Sequence, residues 1–193
     1  MCFSPHYIVF HSLHACVRYN PPPEILKILL DLVPEAPACV DIAGRTPLHV
    51  AVGMRANISA IKILVSAYPD ACAMLDCEGK TPLHLACDGD CDLFEKEEEE
   101  VDSIPKNSPC LHTIETLINA CPLAAVLEDQ DRMTALEYAI ISDASMKIVW
   151  LLQCTTGRQC MKLDSYFKRA MSDEPILDDE STNHQLNSRS KSL

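Results

Sequence analysis

Three aspartates alternate at Asp88, Asp90 and Asp92, and Glu99 stands twelfth counting from the first. A calcium-binding loop sets its carboxylate ligands at such intervals, but it needs glycine at its sixth position for a sharp turn. The sixth residue here is Leu93, so the stretch reads as an acidic loop rather than a calcium site. A second group, Cys77, His84, Cys87, Cys91, Cys110 and His112, has the ligand types of a zinc centre. It contains no Cys-x-x-Cys pair, the close spacing that lets one turn supply two ligands. A Cys–His nucleophile would leave no spacing to read, because its members meet only in space. The glycines Gly44, Gly53, Gly79, Gly89 and Gly157 form no phosphate loop, and Gly-x-Ser-x-Gly does not occur. No catalytic residue, cofactor or metal is therefore expected, and the chain reads as a non-enzyme.

The elements that would position these residues explain them better. Residues 46–51 read Thr-Pro-Leu-His-Val-Ala and residues 81–86 read Thr-Pro-Leu-His-Leu-Ala, with 35 residues from Leu48 to Leu83. A hexapeptide recurring at that period marks stacked repeats. One period earlier stand Leu13, His14, Ala15 and Cys16; further on, Pro34 matches Pro69 and Asp41 matches Asp76. The next period is 53 residues, from Leu83 to Leu136, which is the same repeat with an 18-residue insertion. The fourth repeat is degenerate: Thr134-Ala135-Leu136-Glu137-Tyr138-Ala139, closing on Met146, Ile148, Val149, Leu151 and Leu152.

Each repeat has a physical reading. Thr46 and Thr81 are N-cap candidates, with Pro47 and Pro82 at the first helical position, where a missing N–H costs nothing. A second helix follows, such as Ile61–Ala67 with Ile61, Leu64 and Val65 inward, and Pro34, Pro69 and Pro122 end it. Asp41–Gly44 and Asp76–Gly79 then turn the chain. Neither helix is long enough to be stable alone, so stacking must stabilise both.

These residues resemble the ankyrin repeat, over roughly residues 12–155. The resemblance implies an all-α solenoid of about four helix–turn–helix repeats with short hairpin turns: residues 12–40, 41–75, 76–128 with an acidic insertion at 91–110, and 129–155. It implies that His14, His49 and His84 bond the neighbouring threonine and adjacent backbone and tie repeats together. It also implies a partner-binding surface on hairpin tips and the concave face: Ile42, Ala43, Arg45, Met54, Arg55, Cys77, Glu78, Lys80, Asp88, Gln130 and Asp131. Met54 and Arg55 are favoured there, because an adaptable apolar group beside a fork of donors suits an interface centre. The fourth repeat departs from the pattern, with Arg132 where Gly44 and Gly79 stand and Glu137 for histidine.

The formal net charge is −12, and residues 88–102 hold nine acidic residues against one lysine. An acidic chain of this kind is not expected to bind nucleic acid, which requires a basic stripe. No run reaches the ~18 apolar residues of a membrane span. Eleven scattered cysteines and no convincing signal peptide point to reduced thiols and a cytoplasmic or nuclear site. Residues 1–11 read as an N-terminal segment, 156–171 as a basic capping helix, and 172–193 as a disordered tail. The insertion reads as a solvated loop whose Glu97, Glu98, Glu99 and Glu100 offer a docking site to a basic partner segment. The expected function is protein–protein recognition by a monomer. Two alternatives are a regulatory fragment or subunit of a larger, catalytic protein and a metal-responsive sensor. The first repeat has no hairpin before Leu13, which favours a further repeat upstream.

Overall fold

The computed structural model describes residues 5–91, 93 and 108–171. The chain divides into two compact bodies, residues 1–160 and 161–193. Among the described residues, the first body holds α1 (Pro5–Arg18) with α2 (Pro23–Leu32), α3 (Pro47–Gly53) with α4 (Ile58–Ala67), α5 (Pro82–Cys87) with α6 (Leu111–Ala120), and α7 (Ala135–Ile141) followed by the start of α8 (Met146–Met171). First helices pack in series, α1 on α3, α3 on α5 and α5 on α7, and α2 packs on α4 and α4 on α6. The period of the sequence is thus the period of the stack. In the second body, α8 runs on to Met171, and the side chains of residues 161–169 are exposed.

Helices of six and seven residues such as α5 and α3 would not persist alone. Burial holds them: every residue of both helices is buried. Leu13, Leu48 and Leu83 occupy equivalent core positions, and small Ala51 and Ala86 let neighbouring helices approach. Short 3-10 turns at Ala36–Ala38, Pro69–Ala73 and Pro122–Val126 carry the chain from each second helix into the next repeat. Tight turns inside the pairs use left-handed residues at equivalent places: Asn20, Arg55 and Asp143.

Three boundaries differ from the sequence reading. The first helix starts at Pro5, so much of the supposed segment 1–11 is helical. Residues 156–171 are not a separate capping helix but the continuation of α8. The insertion is also not wholly solvated. Cys91 and Leu93 pack on the core and Pro109 is buried. Leu93 fills the space above Gly53, where a Cβ would lie 2.2 Å from Leu93 Cδ1. Glycine at 53 therefore provides the seat, and the insertion leaves the stack from a fixed point.

Candidate functional site

The hairpins are built from one aspartate each. Asp41 Oδ1 accepts from Ala43 N and Arg45 N at 2.8 and 2.9 Å. Asp76 Oδ1 binds Glu78 N and Lys80 N, and Asp129 Oδ1 binds Asp131 N and Met133 N, all at 2.9 Å. Gly44 and Gly79 follow at φ 72° and 77°, the left-handed region where a side chain is strained. Each also lies under the next hairpin. A Cβ on Gly44 would stand 3.2 Å from Cys77 N, and one on Gly79 would stand 3.0 Å from Gln130 N. That closeness lets Cys77 N donate to Ala43 O at 2.8 Å and Gln130 N to Glu78 O at 3.1 Å. The three tips are stitched into one row through their backbones.

The histidines tie this row to the helices. Thr46 N–H donates to His49 Nδ1 at 3.1 Å, so Nδ1 is an acceptor and the ring proton lies on Nε2. Nε2–H then donates to Lys80 O of the following hairpin at 3.2 Å. His84 repeats the arrangement, with Nδ1 accepting from Thr81 N at 3.0 Å and Nε2 shared by Leu127 O and Met133 O at 3.1 Å each. His14 Nε2 lies 2.8 Å from Arg45 O. Burial pushes the His49 pKa down to about 4, and lowers that of His84, because an imidazolium there would be desolvated. The His49 and His84 rings are thus engaged through both nitrogens as neutral hydrogen-bonding groups.

The remaining sequence-chosen residues fall into two sets. Ile42, Cys77, Glu78, Gln130 and Asp131 are exposed along the tips, and Ala43 is half-buried among them. Ile42 is 99% exposed, an isoleucine projecting from a hydrogen-bonded turn. Gln130 Nε2 donates to Cys77 O at 2.8 Å, which aligns that side chain along the row. The other set faces inward. Arg55, expected as a partner contact, instead donates from Nη1 to Ala86 O at 3.0 Å and from Nη2 to Asp88 O. The guanidinium thus meets carbonyls at the C-terminal end of α5, which a cation stabilises. Met54 is half-buried against the core. Both are half-buried, and the contacts they make are with the molecule itself.

Arg45 lies 3.8 Å from Asp76 Oδ2, a nearly buried carboxylate. Lys80 pairs with Glu78 at 3.1 Å and with Asp88 at 3.8 Å, and its ammonium stands 5.2 Å from the centre of the Tyr138 ring. Partial burial works to lower its pKa, but the bond to Glu78 and neighbouring negative groups outweigh that and raise it. Arg45, Lys80 and Asp88 are therefore half-buried members of an internal charge network beside the tips. Glu97–Glu100 lie outside the described residues.

The chemistry considered from spacing has a different use in the fold. His84 spends both ring nitrogens on hydrogen bonds, and Cys87 is buried with its thiol pushed up to about 12 by desolvation. Cys91 is raised to about 11 for the same reason. At Cys110 burial works upward too, but Thr113 and His112 donate to the sulfur and bring the pKa down. Among the described residues, no group of three or more His, Cys, Asp or Glu is placed to hold a metal, and no helix is long and apolar enough to cross a membrane.

A family model described as ankyrin repeats in three copies matches residues 13–96, and no curated protein matches the chain. The fourth helix pair lies beyond that match, yet it repeats the same aspartate turn, threonine start and helix pairing. With stacked hairpins, Thr-Pro-Leu-His helix starts and the family match, residues 13–96 are ankyrin repeats, and the described residues beyond them continue the same all-α repeat fold.

Proposed function

We propose that this chain is a non-catalytic recognition module that binds another protein along its row of hairpin tips. Ankyrin repeats are modules for binding other proteins. The observation that carries the reading here is Ile42, 99% exposed on a turn that Asp41 holds through the N–H groups of Ala43 and Arg45. An apolar side chain held rigidly in water loses little entropy on docking and gains the burial energy. Beside it the row alternates in character. Cys77 and Gln130 continue the Ile42 position, and Ala43, Glu78 and Asp131 form the next position. The acidic residues on that second row favour a partner segment that is apolar at one point and basic beside it.

The Glu97–Glu100 run belongs to the same proposal. Leu93, seated on Gly53, fixes where the acidic segment begins. A concentrated negative charge near a binding surface raises the association rate of a basic partner, and salt screens that effect. Affinity capture from cell extract tests the reading, with wild type compared against Ile42→Asp. The expected result is a protein retained by wild type and lost by the variant, with circular dichroism unchanged. With that partner, Glu97–Glu100 replaced by glutamine slows association several-fold at low salt and leaves dissociation nearly unaltered. An Ile42→Asp chain that keeps all its wild-type partners removes the tips from the proposal.

A further inference from the structure

Equivalent positions of the four repeats show which surfaces a neighbouring repeat covers. Ile25 of α2 corresponds to Ala60, Thr113 and Ile148, and those three are buried while Ile25 is 45% exposed. Ala15 of α1 is exposed, while its equivalents Val50 and Leu85 are buried. These positions are open only in the first repeat, so the preceding repeat is what closes them elsewhere. The opposite end behaves in mirror fashion. Ile140 of α7 is 57% exposed, while Val17, Val52 and Cys87 at the same position are buried. Val149 is half-buried, and its equivalents Leu26, Ile61 and Ile114 are buried. Ile140 is open, and Val149 partly open, only in the fourth repeat.

Repeat stacks ordinarily end in polar faces, which keep them apart in water. Here both ends carry the apolar residues of interior faces. In the interior, first helices pack in series and α2 packs on α4 and α4 on α6, so the positions open at one end are of the kind that a neighbouring repeat covers at the other. The two open ends therefore hold the two halves of an interface the molecule already uses between its first helices, α1 on α3, α3 on α5 and α5 on α7. We propose that a second copy of this chain docks end to end, with Ala15 and Ile25 of one copy on Ile140 and Val149 of the other, extending the stack.

Certain features set the strength of this contact. The first repeat has helix α1 from Pro5 where later repeats have a hairpin, and the fourth has Glu137 in place of histidine. The junction thus lacks the histidine-to-hairpin bond that ties neighbouring repeats. It rests on apolar burial alone, and association is weak and concentration-dependent. It is also heterologous, one face meeting a different face, so it propagates rather than closing at two copies.

Sedimentation velocity on the full chain, over a concentration series, tests the proposal. Wild type is expected to shift to faster-sedimenting species as concentration rises. Ile25→Glu blocks one end and Ile140→Glu the other; each variant alone stays a monomer. An equimolar mixture of the two retains one good junction, and it forms dimers and nothing longer. Both positions are largely exposed, so the helical circular dichroism signal should be kept. Ala15→Glu, exposed on a different helix, blocks the first end independently should Ile25→Glu fail to fold. Wild type remaining monomeric throughout the series overturns the proposal. So does a single-end variant that still self-associates, since that would be a face meeting its own copy.

Discussion

The third and fourth repeats begin their first helices with the same threonine and finish the job with different chemistry. At α5, the helix start is closed by His84, whose far nitrogen continues into the next hairpin through Leu127 O and Met133 O. At α7, Glu137 closes the start instead, accepting from Thr134 N at 2.6 Å and Thr134 Oγ1 at 3.0 Å. A carboxylate suits a helix N-terminus as well as an imidazole does. It has no second donor to reach a following repeat. The fourth hairpin compensates from its own helix: Tyr138 OH donates to Asp129 Oδ2 at 2.7 Å, and Leu85 stands at the same position in the third repeat. Burial works to raise the Asp129 pKa, but Tyr138 and the hairpin N–H groups lower it. An interior repeat is thus tied on both sides, and the last repeat is tied to the third on one side and braced by its own Tyr138.

The largest test of that difference is in the core. Leu83 is fully buried and its equivalent Leu136 is half-buried. Leu83→Ala should cost about 2–5 kcal/mol through lost transfer energy and a residual cavity. Leu136→Ala should cost less than half as much. Chemical denaturation of both variants measures this, and equal losses would mean the fourth repeat is as cooperative with its neighbours as the third.

Acid should separate the two repeats next. The folded-state pKa of His49, about 4, lies below its ordinary value of 6.5. Above pH 6.5 the ring is neutral in both states and contributes no pH dependence. As pH falls below 6.5, the unfolded chain takes up a proton that the folded chain refuses, so stability drops until about pH 4. At pH 5 the loss from this ring is about 2 kcal/mol. His84, also lowered, adds to it in the same direction. Glu137 replaces histidine in the fourth repeat, which makes no such contribution. Denaturation midpoints between pH 7 and 5 should fall for wild type and fall less for His49→Gln. A parallel decline in both would trace the acid sensitivity to carboxylates instead.

Much of this fold is legible in the sequence because its main devices are local. Thr46 with His49 is a contact three residues apart, and Asp41 with Gly44 is a single turn. Contacts of that kind leave a pattern at fixed spacing. The internal bonds of Arg55 left no pattern, because its acceptors are the carbonyls of Ala86 and Asp88 and every residue carries a carbonyl. A signal did exist: Asn20 and Asp143 at the same place are residue types that tolerate φ > 0, which marks position 55 as part of a turn. Leu93 could not be placed, since an insertion has no equivalent in other repeats to align with. The continuity of α8 was hidden by Gly157, which weakens a helix without ending it. The exposed tips were legible as positions, and the projection of Ile42 required the folded turn.

A smaller effect comes from the tyrosine that stabilises the last hairpin. Tyr138→Phe removes the donor to Asp129 Oδ2, a nearly buried carboxylate, and should cost about 1–2 kcal/mol. Asp76 manages without such a donor, facing Arg45 at 3.8 Å. Thermal melts compare Tyr138→Phe with Arg45→Gln, and a negligible change at Tyr138 would show that solvent supplies the fourth hairpin equally well.

The smallest expected effect has the opposite sign. Arg132 occupies the turn position of Gly44 and Gly79 and adopts the same left-handed backbone, with φ 61°. An L side chain there costs roughly 1–2 kcal/mol relative to glycine. Glycine in turn makes the unfolded chain more flexible, which takes back about 0.4–1 kcal/mol. Arg132 is exposed, and the turn bond from its N–H to Asp129 O at 3.1 Å does not depend on the side chain. Arg132→Gly should therefore raise stability slightly, by up to about 1 kcal/mol, visible as a small increase in Tm. Gly79→Ala should do the reverse and more strongly, because its Cβ would meet Gln130 N at 3.0 Å as well as being strained. If Arg132→Gly lowers Tm, the arginine side chain makes a stabilising contribution that outweighs its backbone strain. The last hairpin would then depend on that side chain as well as on Asp129.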